Sequence, residues 1–279
     1  LNKSNPLVSV CIPVYNCDTF IAQAIESVIN QSFPDWELLI LDNASTDRTL
    51  EVIKRYDDTR IRLIQNDHNL GLEGNWNKCL AEACGEYIKL LPADDWIHTD
   101  CLEQQVNAFD KPGNESVALV CCARNIINPD GKPLLVRKFP GPERKINGID
   151  AIRLVLRAGT NKLGEPGSIL FKRELLQKTG VFDGRLAYVI DVHLWLRMLL
   201  YGDLYILSKP LAAFRLSSGS ASVELAVLQS THFTTFIRDL AGDPRYRVRW
   251  FDQVSGIMMS RLLGMARKLF YLLTIRTKQ

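Results

Sequence analysis

The chain has 279 residues, 47% of them hydrophobic and 23% charged, with a formal net charge of +3. That is ample material for a buried core, and the small positive charge gives no footprint for nucleic acid. Seven cysteines, an odd number without a Cys-x-x-Cys pair, argue against a zinc site or disulfide scaffold and for a reducing compartment. In chain order, residues 7–14 and 36–42 are Val/Ile/Leu runs bounded by Pro, Asn or Asp, as expected of buried parallel strands. Between them Ile21, Ala24, Ile25, Val28 and Ile29 recur at helical spacing, with Asp18 as the expected cap. A helix over 50–56, a strand over 61–64, a helix over 76–83 and a strand over 87–91 follow. This alternation predicts an α/β fold, with a Rossmann-like, mostly parallel central sheet flanked by helices.

Beyond Asp95 the alternation loosens. A helix over 102–109, a strand over 117–122 and a hairpin about Asp130-Gly131 are expected, then a loop over 137–147. A helix over 149–156, a Gly/Pro loop over 159–167, a strand over 169–171, a helix from Asp191 and two short strands about Pro210 come next. From Ser222 the chain reads as helical. The expected division is one unit over 1–220, in two halves (1–110 and 111–220), and a helical extension over 221–279.

The chemistry sits at predicted strand ends, where ligands bind in open α/β sheets. The first strand runs into Pro13-Val14-Tyr15-Asn16 and not into a Gly-x-Gly-x-x-Gly turn, which counts against a dinucleotide fold. Such a turn offers an aromatic wall and backbone groups to a nucleoside, or is simply a turn with a half-buried tyrosine. Asp42 ends the second strand, where a carboxylate can accept the imide N–H of uracil or thymine. Ser45 and Asp47, nearer the next helix, are the better caps for it. Asp94-Asp95 places two carboxylates together, a pair that either stays solvated or takes a hard divalent cation, Mn²⁺ or Mg²⁺, beside substrate phosphates.

Taken in order, these motifs resemble the inverting glycosyltransferases of family 2, which have the GT-A fold. Val8–Asn16 resembles the family's opening strand and turn, and Leu41–Asp47 its Asp-Asp-Gly-Ser-x-Asp segment. Asn69-Leu70-Gly71, Asn77 and Gly85–Tyr87 match the stretch leading to the metal motif, on which Pro92–Asp95 lies. Phe182-Asp183, Asp191 and Leu194–Arg197 resemble the segment that carries the base. The resemblance, which covers about residues 7–220, implies that Pro13, Tyr15, Asn16, Asp42, Asn77 and Asp94 hold the nucleotide and donor sugar. It also implies that Asp95 ligates Mn²⁺ or Mg²⁺ and that Asp191 is the general base. Glu165, Trp96 and Arg215 are candidates for acceptor or phosphate contacts.

Departures are also visible: Pro92 and Ile190 replace carboxylates common in the family, Trp76 replaces an Arg, and Arg215 is not followed by His. The implied activity is metal-dependent transfer from a UDP-sugar, or next a dTDP-sugar, to a saccharide or lipid-linked acceptor. The alternative is a non-catalytic nucleotide-sugar-binding subunit. A nucleotidyltransferase ranks last for want of a glycine-rich phosphate loop. The stretch 256–275 is broken by Arg261, Arg267 and Lys268 and falls short of a membrane span. As a basic amphipathic helix it suits either a membrane surface or packing on protein. With no leader read at the start, the expected location is cytoplasmic, with peripheral contact at the inner face of the membrane.

Overall fold

The structure, a computed structural model, describes residues 5–217 and 225–275. The first half alternates β1 (Val8–Val14), α1 (Ile21–Ile29), β2 (Trp36–Asp42), α2 (Thr49–Ile53), β3 (Ile61–Gln65), α3 (Gly71–Glu82) and β4 (Tyr87–Leu90). Then come β5 (Trp96–Ile97) and α4 (Cys101–Asp110). The second half holds β6 (Val117–Ile127), β7 (Pro133–Arg137), β8 (Arg144–Ile146), α5 (Gly148–Ala158), β9 (Ile169–Lys172), α6 (Leu176–Thr179), α7 (Ile190–Met198) and β10 (Asp203–Arg215). α8 (Gln229–Gly242) and α9 (Trp250–Ile275) follow.

The strands make one sheet in the order β3-β2-β1-β4-β9-β6-β10-β5. The β3-β2-β1-β4 block is parallel throughout, with Val8 opposite Trp36 and Val14 opposite Asp42. β9 enters antiparallel between β4 and β6, so the sheet is mixed beyond its first half. β6 and β10 run parallel, while β5 and β8 pair antiparallel with β10, and β7 with β6. Every residue of β1 is buried because helices cover both faces of the sheet, which explains its unbroken apolar run. Val8, Val10 and Ile12 pack with Ile21, Ala24, Ile25 and Val28 of α1 on one face. Cys11, Leu39 and Leu41 face the other layer, built from α3, α5, α7 and α8 around Trp195.

Several expectations shift. α1 starts after Phe20 with no side-chain cap, because the Asp18 carboxylate turns to Arg48 Nε at 3.4 Å. The predicted loop 137–147 ends in a short strand, β8, which adds to β10. Residues about Pro210 form one strand and not two: β10 passes the proline with a local shift of register against β6. The hairpin at Asp130-Gly131 is present as β6–β7. The expected boundary at 220/221 and the expected start of helix at Ser222 lie outside the described residues.

α9 packs on α5 through small residues. A Cβ on Gly256 would come within 2.1 Å of the Leu156 carbonyl, so the two backbones touch. Beside that contact Asp252, fully buried, receives Arg153 Nε and Arg157 Nε, each at 2.9 Å. No helix among the described residues is long and apolar enough to cross a membrane.

Candidate active site

The carboxyl ends of β1, β2 and β4 open onto a cleft of about 1340 Å³ that extends under β6, the 159–167 loop and α7. Pockets for small ligands run from roughly 300 to 1,000 Å³. The cleft therefore has room for a nucleotide-sugar and part of a second substrate.

One end is made by the loops after β1 and β2. Pro13, Tyr15 and Asn16 line it, with the Tyr15 ring 48% exposed. Asn16 sits at φ 48° and ties the two loops together: its Oδ1 accepts the Thr46 N–H at 2.8 Å and its N–H donates to Ser45 Oγ at 3.0 Å. Behind them a lattice of amides sets the floor. Asn43 Nδ2 donates to Asn69 Oδ1 at 2.7 Å, and Asn66 Nδ2 donates to Asn43 Oδ1 and to Asn75 Oδ1, both at 3.0 Å. Asp42 lies within this floor, 1% exposed. Its Oδ2 accepts the Ser45 N–H at 3.2 Å, while its buried Oδ1 has no hydrogen-bond partner among the described residues. An orphaned carboxylate oxygen is costly; Asp42 itself does not line the cleft, although its neighbour Asn43 does.

Ala44, next in this loop, is held at φ 62°, a left-handed conformation that costs an alanine about 1 kcal/mol or more. Ala44→Gly is expected to raise stability by up to about 1 kcal/mol, partly offset by the greater freedom of glycine when unfolded. Urea unfolding at constant m-value would show it.

The middle of the cleft holds the aspartate pair, and only Asp94 lines it. Asp95 is 2% exposed and its Oδ1 accepts the Arg215 backbone N–H at 2.9 Å. Burial pushes the Asp94 carboxyl up, and burial followed by the Asp94 charge pushes Asp95 well up. The Arg215 guanidinium does not reach into the cleft. It donates to the carbonyls of Asp94 (2.9 Å) and Pro129 (2.6 Å) and to Gln23 Oε1 (2.5 Å), and lies over the Phe20 ring. Arg215 does not line the cleft, and its guanidinium holds the Asp94-Asp95 turn to the β6–β7 hairpin.

The donor set suits a hard divalent cation. Two adjacent carboxylates, Asp95 buried and Asp94 half-buried, carry more negative charge than the one Arg215 relieves, and oxygen is the ligand such ions take. No cluster of three or more His, Cys, Asp or Glu side chains that could hold a metal occurs among the described residues. Such an ion would draw its remaining ligands from phosphate and water.

The far end belongs to Asp191, in the first turn of α7 and 8% exposed. Its Oδ1 accepts the Val192 N–H at 2.7 Å, and its Oδ2 accepts Asn161 Nδ2 at 3.0 Å. Asn161 is held in turn by the Gly164 N–H, which donates to its Oδ1 at 3.0 Å. Burial pushes the Asp191 carboxyl up to about 7, and the nearby Glu165 charge adds to the rise. Glu165 lines the same wall but is paired with the buried Arg124, Nε to Oε2 at 2.5 Å. Burial would raise its carboxyl, yet the Arg124 charge holds it below the ordinary value. Burial, then the charges of Arg137 and Arg124, lowers Lys162 nearby, so this wall is basic around the carboxylates.

Asn77 and Trp96 are also among the expected residues that do not line the cleft. Asn77 is turned to the Phe182 backbone, with Nδ2 donating to its carbonyl at 3.0 Å and Oδ1 accepting its N–H at 2.9 Å. It pins a loop, while Asn75, on the inward side of α3, lines the cleft. Trp96 does not line the cleft either. It lies in β5, paired opposite Ala213 of β10, and its Nε1 is buried. His193 packs edge-on against Phe236, and Trp195 lies in the core against Phe171. Cys17 borders the cleft, but burial pushes its thiol up to about 12, which removes it as a nucleophile. Arg124 and Asn161 were not anticipated. A lone Arg inside the apolar run Val117–Ile127 was the visible signal for the first.

A parallel β-α block feeding a cleft lined by Asp94, with Asp95 buried behind it and Asp191 across it, has the layout of the GT-A nucleotide-sugar class. The profile described as Glycosyl transferase family 2 matches residues 9–180, more than half the chain, and the chain belongs to that family. It is 43% identical over 112 residues to EpsE of Bacillus subtilis (strain 168), covering 39% of this chain and 40% of that protein. It is 31% identical over 194 residues to WfgD of Escherichia coli, covering 69% of this chain and 70% of that one. WfgD is named a UDP-Glc:alpha-D-GlcNAc-diphosphoundecaprenol beta-1,3-glucosyltransferase. Two solved structures share the fold. One is S. aureus TarS 1-349 with UDP-GlcNAc (TM-score 0.63, 20% identity, 81% of this chain and 66% of that one). The other is the mannosyltransferase PcManGT of Pyrobaculum calidifontis with GDP-Man and Mn²⁺ (TM-score 0.66, 18% identity, 98% and 76%).

Proposed function

We propose that the chain transfers a sugar from a nucleotide-diphosphate donor, UDP-linked first and dTDP-linked next, to a hydroxyl of a saccharide or lipid-linked acceptor, with inversion. The observation that carries this is Asp191: a buried carboxylate in the donor cleft, oriented by Asn161 and titrating at about 7. In a single in-line displacement Asp191 takes the proton of the acceptor hydroxyl as its oxygen bonds to the anomeric carbon. The bond from that carbon to the diphosphate oxygen breaks, and the nucleoside diphosphate leaves with the electron pair.

Tyr15 and Pro13 wall the nucleoside, and Asp42 Oδ1 accepts the imide N–H, which uracil and thymine share. The UDP-Glc of WfgD's name and the UDP-GlcNAc bound to TarS support the uridine choice. The Asp94-Asp95 pair would hold Mn²⁺ or Mg²⁺, with Asp94 presented to the cleft and Asp95 behind it. When bound, the ion supplies charge neutralisation for the departing diphosphate. The same reading divides the chain into a catalytic unit over 1–220 and a helical extension over 221–279.

A panel of nucleotide-sugars with Mn²⁺ is expected to show slow hydrolysis of the UDP-sugar, stopped by chelation and restored by the metal. Asp42→Ala is expected to weaken UDP binding about tenfold in calorimetry, the worth of a charged hydrogen bond. Tight nucleotide binding without turnover on any acceptor would instead indicate a binding subunit.

A further inference from the structure

We propose that the outer face of α9 and the β6–β7 hairpin together form a seat for an anionic lipid bilayer surface at the mouth of the cleft. α9 is inverted relative to an ordinary surface helix. Its inward side carries Asp252, Gly256, Ser260 and Gly264, all buried, so the helix docks through small and polar residues on α5 and, at Gly264, on Ser230 of α8. Its outward side carries Trp250, Phe251, Val254, Met258, Leu262 and Met265, exposed by 48% to 76%. At 100° per residue these six fall within an arc of about 120°. A surface helix normally turns that arc inward.

A second element repeats the chemistry. Among the described residues β7 pairs with β6 alone, and Leu134, Leu135 and Val136 are 44% to 56% exposed, so both faces of the strand are bare there. Arg137 and Lys138 follow, also exposed. The two elements border one cleft: Leu134 to Lys138 line it from the hairpin, and Leu263 and Ala266 line it from α9.

Charge identifies the occupant. Arg247, Arg249 and Arg261 are exposed along or just before α9, whereas Arg245 is paired with Asp243 at 2.6 Å. Between 244 and 275 the sole acidic residue is Asp252, which is buried against Arg153 and Arg157. The outward face of α9 over residues 250–266, aromatic and aliphatic side chains with no exposed carboxylate among them, complements anionic headgroups over acyl chains. A second copy docking face to face would bring arginines against arginines, because an isologous contact repeats the same patch. If the transfer reading holds, an acceptor carried on a lipid would reach Asp191 from the plane of the membrane; the docking itself does not depend on that reading.

The test is co-sedimentation of the full chain with vesicles of phosphatidylcholine and phosphatidylglycerol in equal parts, and with phosphatidylcholine alone. The chain is expected to pellet with the anionic vesicles and to be released by salt. M258D/L262D on the helix, and separately L135D on the hairpin, are each expected to lower apparent affinity by at least about tenfold. Circular dichroism melts of both variants should match the unaltered chain. M258D/L262D is expected to keep its nucleotide-sugar hydrolysis, which separates failure of docking from failure of the transfer reading. Three results would overturn the proposal: recovery of the unaltered chain in the supernatant at low salt, pelleting that neither variant changes, or a solution dimer that M258D/L262D dissociates.

Discussion

Asp191→Asn is expected to cut sugar transfer by roughly 10²–10⁴-fold while leaving UDP affinity within about twofold, because the base touches the acceptor hydroxyl and not the nucleotide. Transfer assays and calorimetry on the same preparation would show it, and near-normal turnover would remove Asp191 from the chemistry. The unaltered enzyme should gain activity as pH rises through about 7, where the carboxyl raised by burial becomes an acceptor for protons. The same shift has a consequence for the fold. A carboxyl whose folded pKa lies above its unfolded value of 3.8 favours the folded state most at low pH. That contribution is lost as pH rises toward and through about 7. Asp191→Asn, which cannot ionise, should therefore be at least as stable as the parent above pH 7.

Asp252→Ala is expected to destabilise the chain by about 3 kcal/mol, the low end for breaking a buried charge pair because Arg157 keeps partial contact with water. The carboxylate receives both arginines and also accepts the Arg249 N–H at 3.1 Å, so its loss frees the start of α9 as well as the seam with α5. Thermal melts should fall, and amide exchange should rise first along α9 and α5. Burial raises the Asp252 carboxyl, but Arg153 and Arg157 outweigh it and hold it below the ordinary value. Its stabilisation is thus present above the unfolded pKa of 3.8 and lost as pH falls through the lower folded value, so the α9 seam should open first in acid. An unchanged melt in Asp252→Ala would mean that α9 is held by its glycine contacts alone.

Much of the first half was legible in the chain because its signals are local. β1 and β2 are buried on both faces and read as unbroken apolar runs, and α1 shows its buried face at helical spacing. Pro13, Tyr15 and Asn16 end a strand by composition alone, and they do line the cleft. What the chain did not reveal has one cause. Asn77 is claimed by Phe182, 105 residues away, and Asp95 and the Asp94 carbonyl are claimed by Arg215, more than 100 residues on. A side chain's partner across such a distance leaves no trace in the residues around it. β8 and the continuous β10 were missed similarly, since an edge pairing and a tolerated proline depend on the neighbouring strand.

By itself, then, the sequence determined the order of strands and helices in the parallel half and the placement of turns and carboxylates at their carboxyl ends. Periodicity and turn chemistry act over a few residues and need no partner. Only the tertiary structure decided which carboxylate faces the cleft and which lies beneath it. It also decided that Asn161 orients Asp191, that Arg124 rather than solvent meets Glu165, and that α9 turns its apolar side outward. Each of those follows from burial and hydrogen bonding between segments distant in the chain, and such properties exist only once the chain has closed on itself.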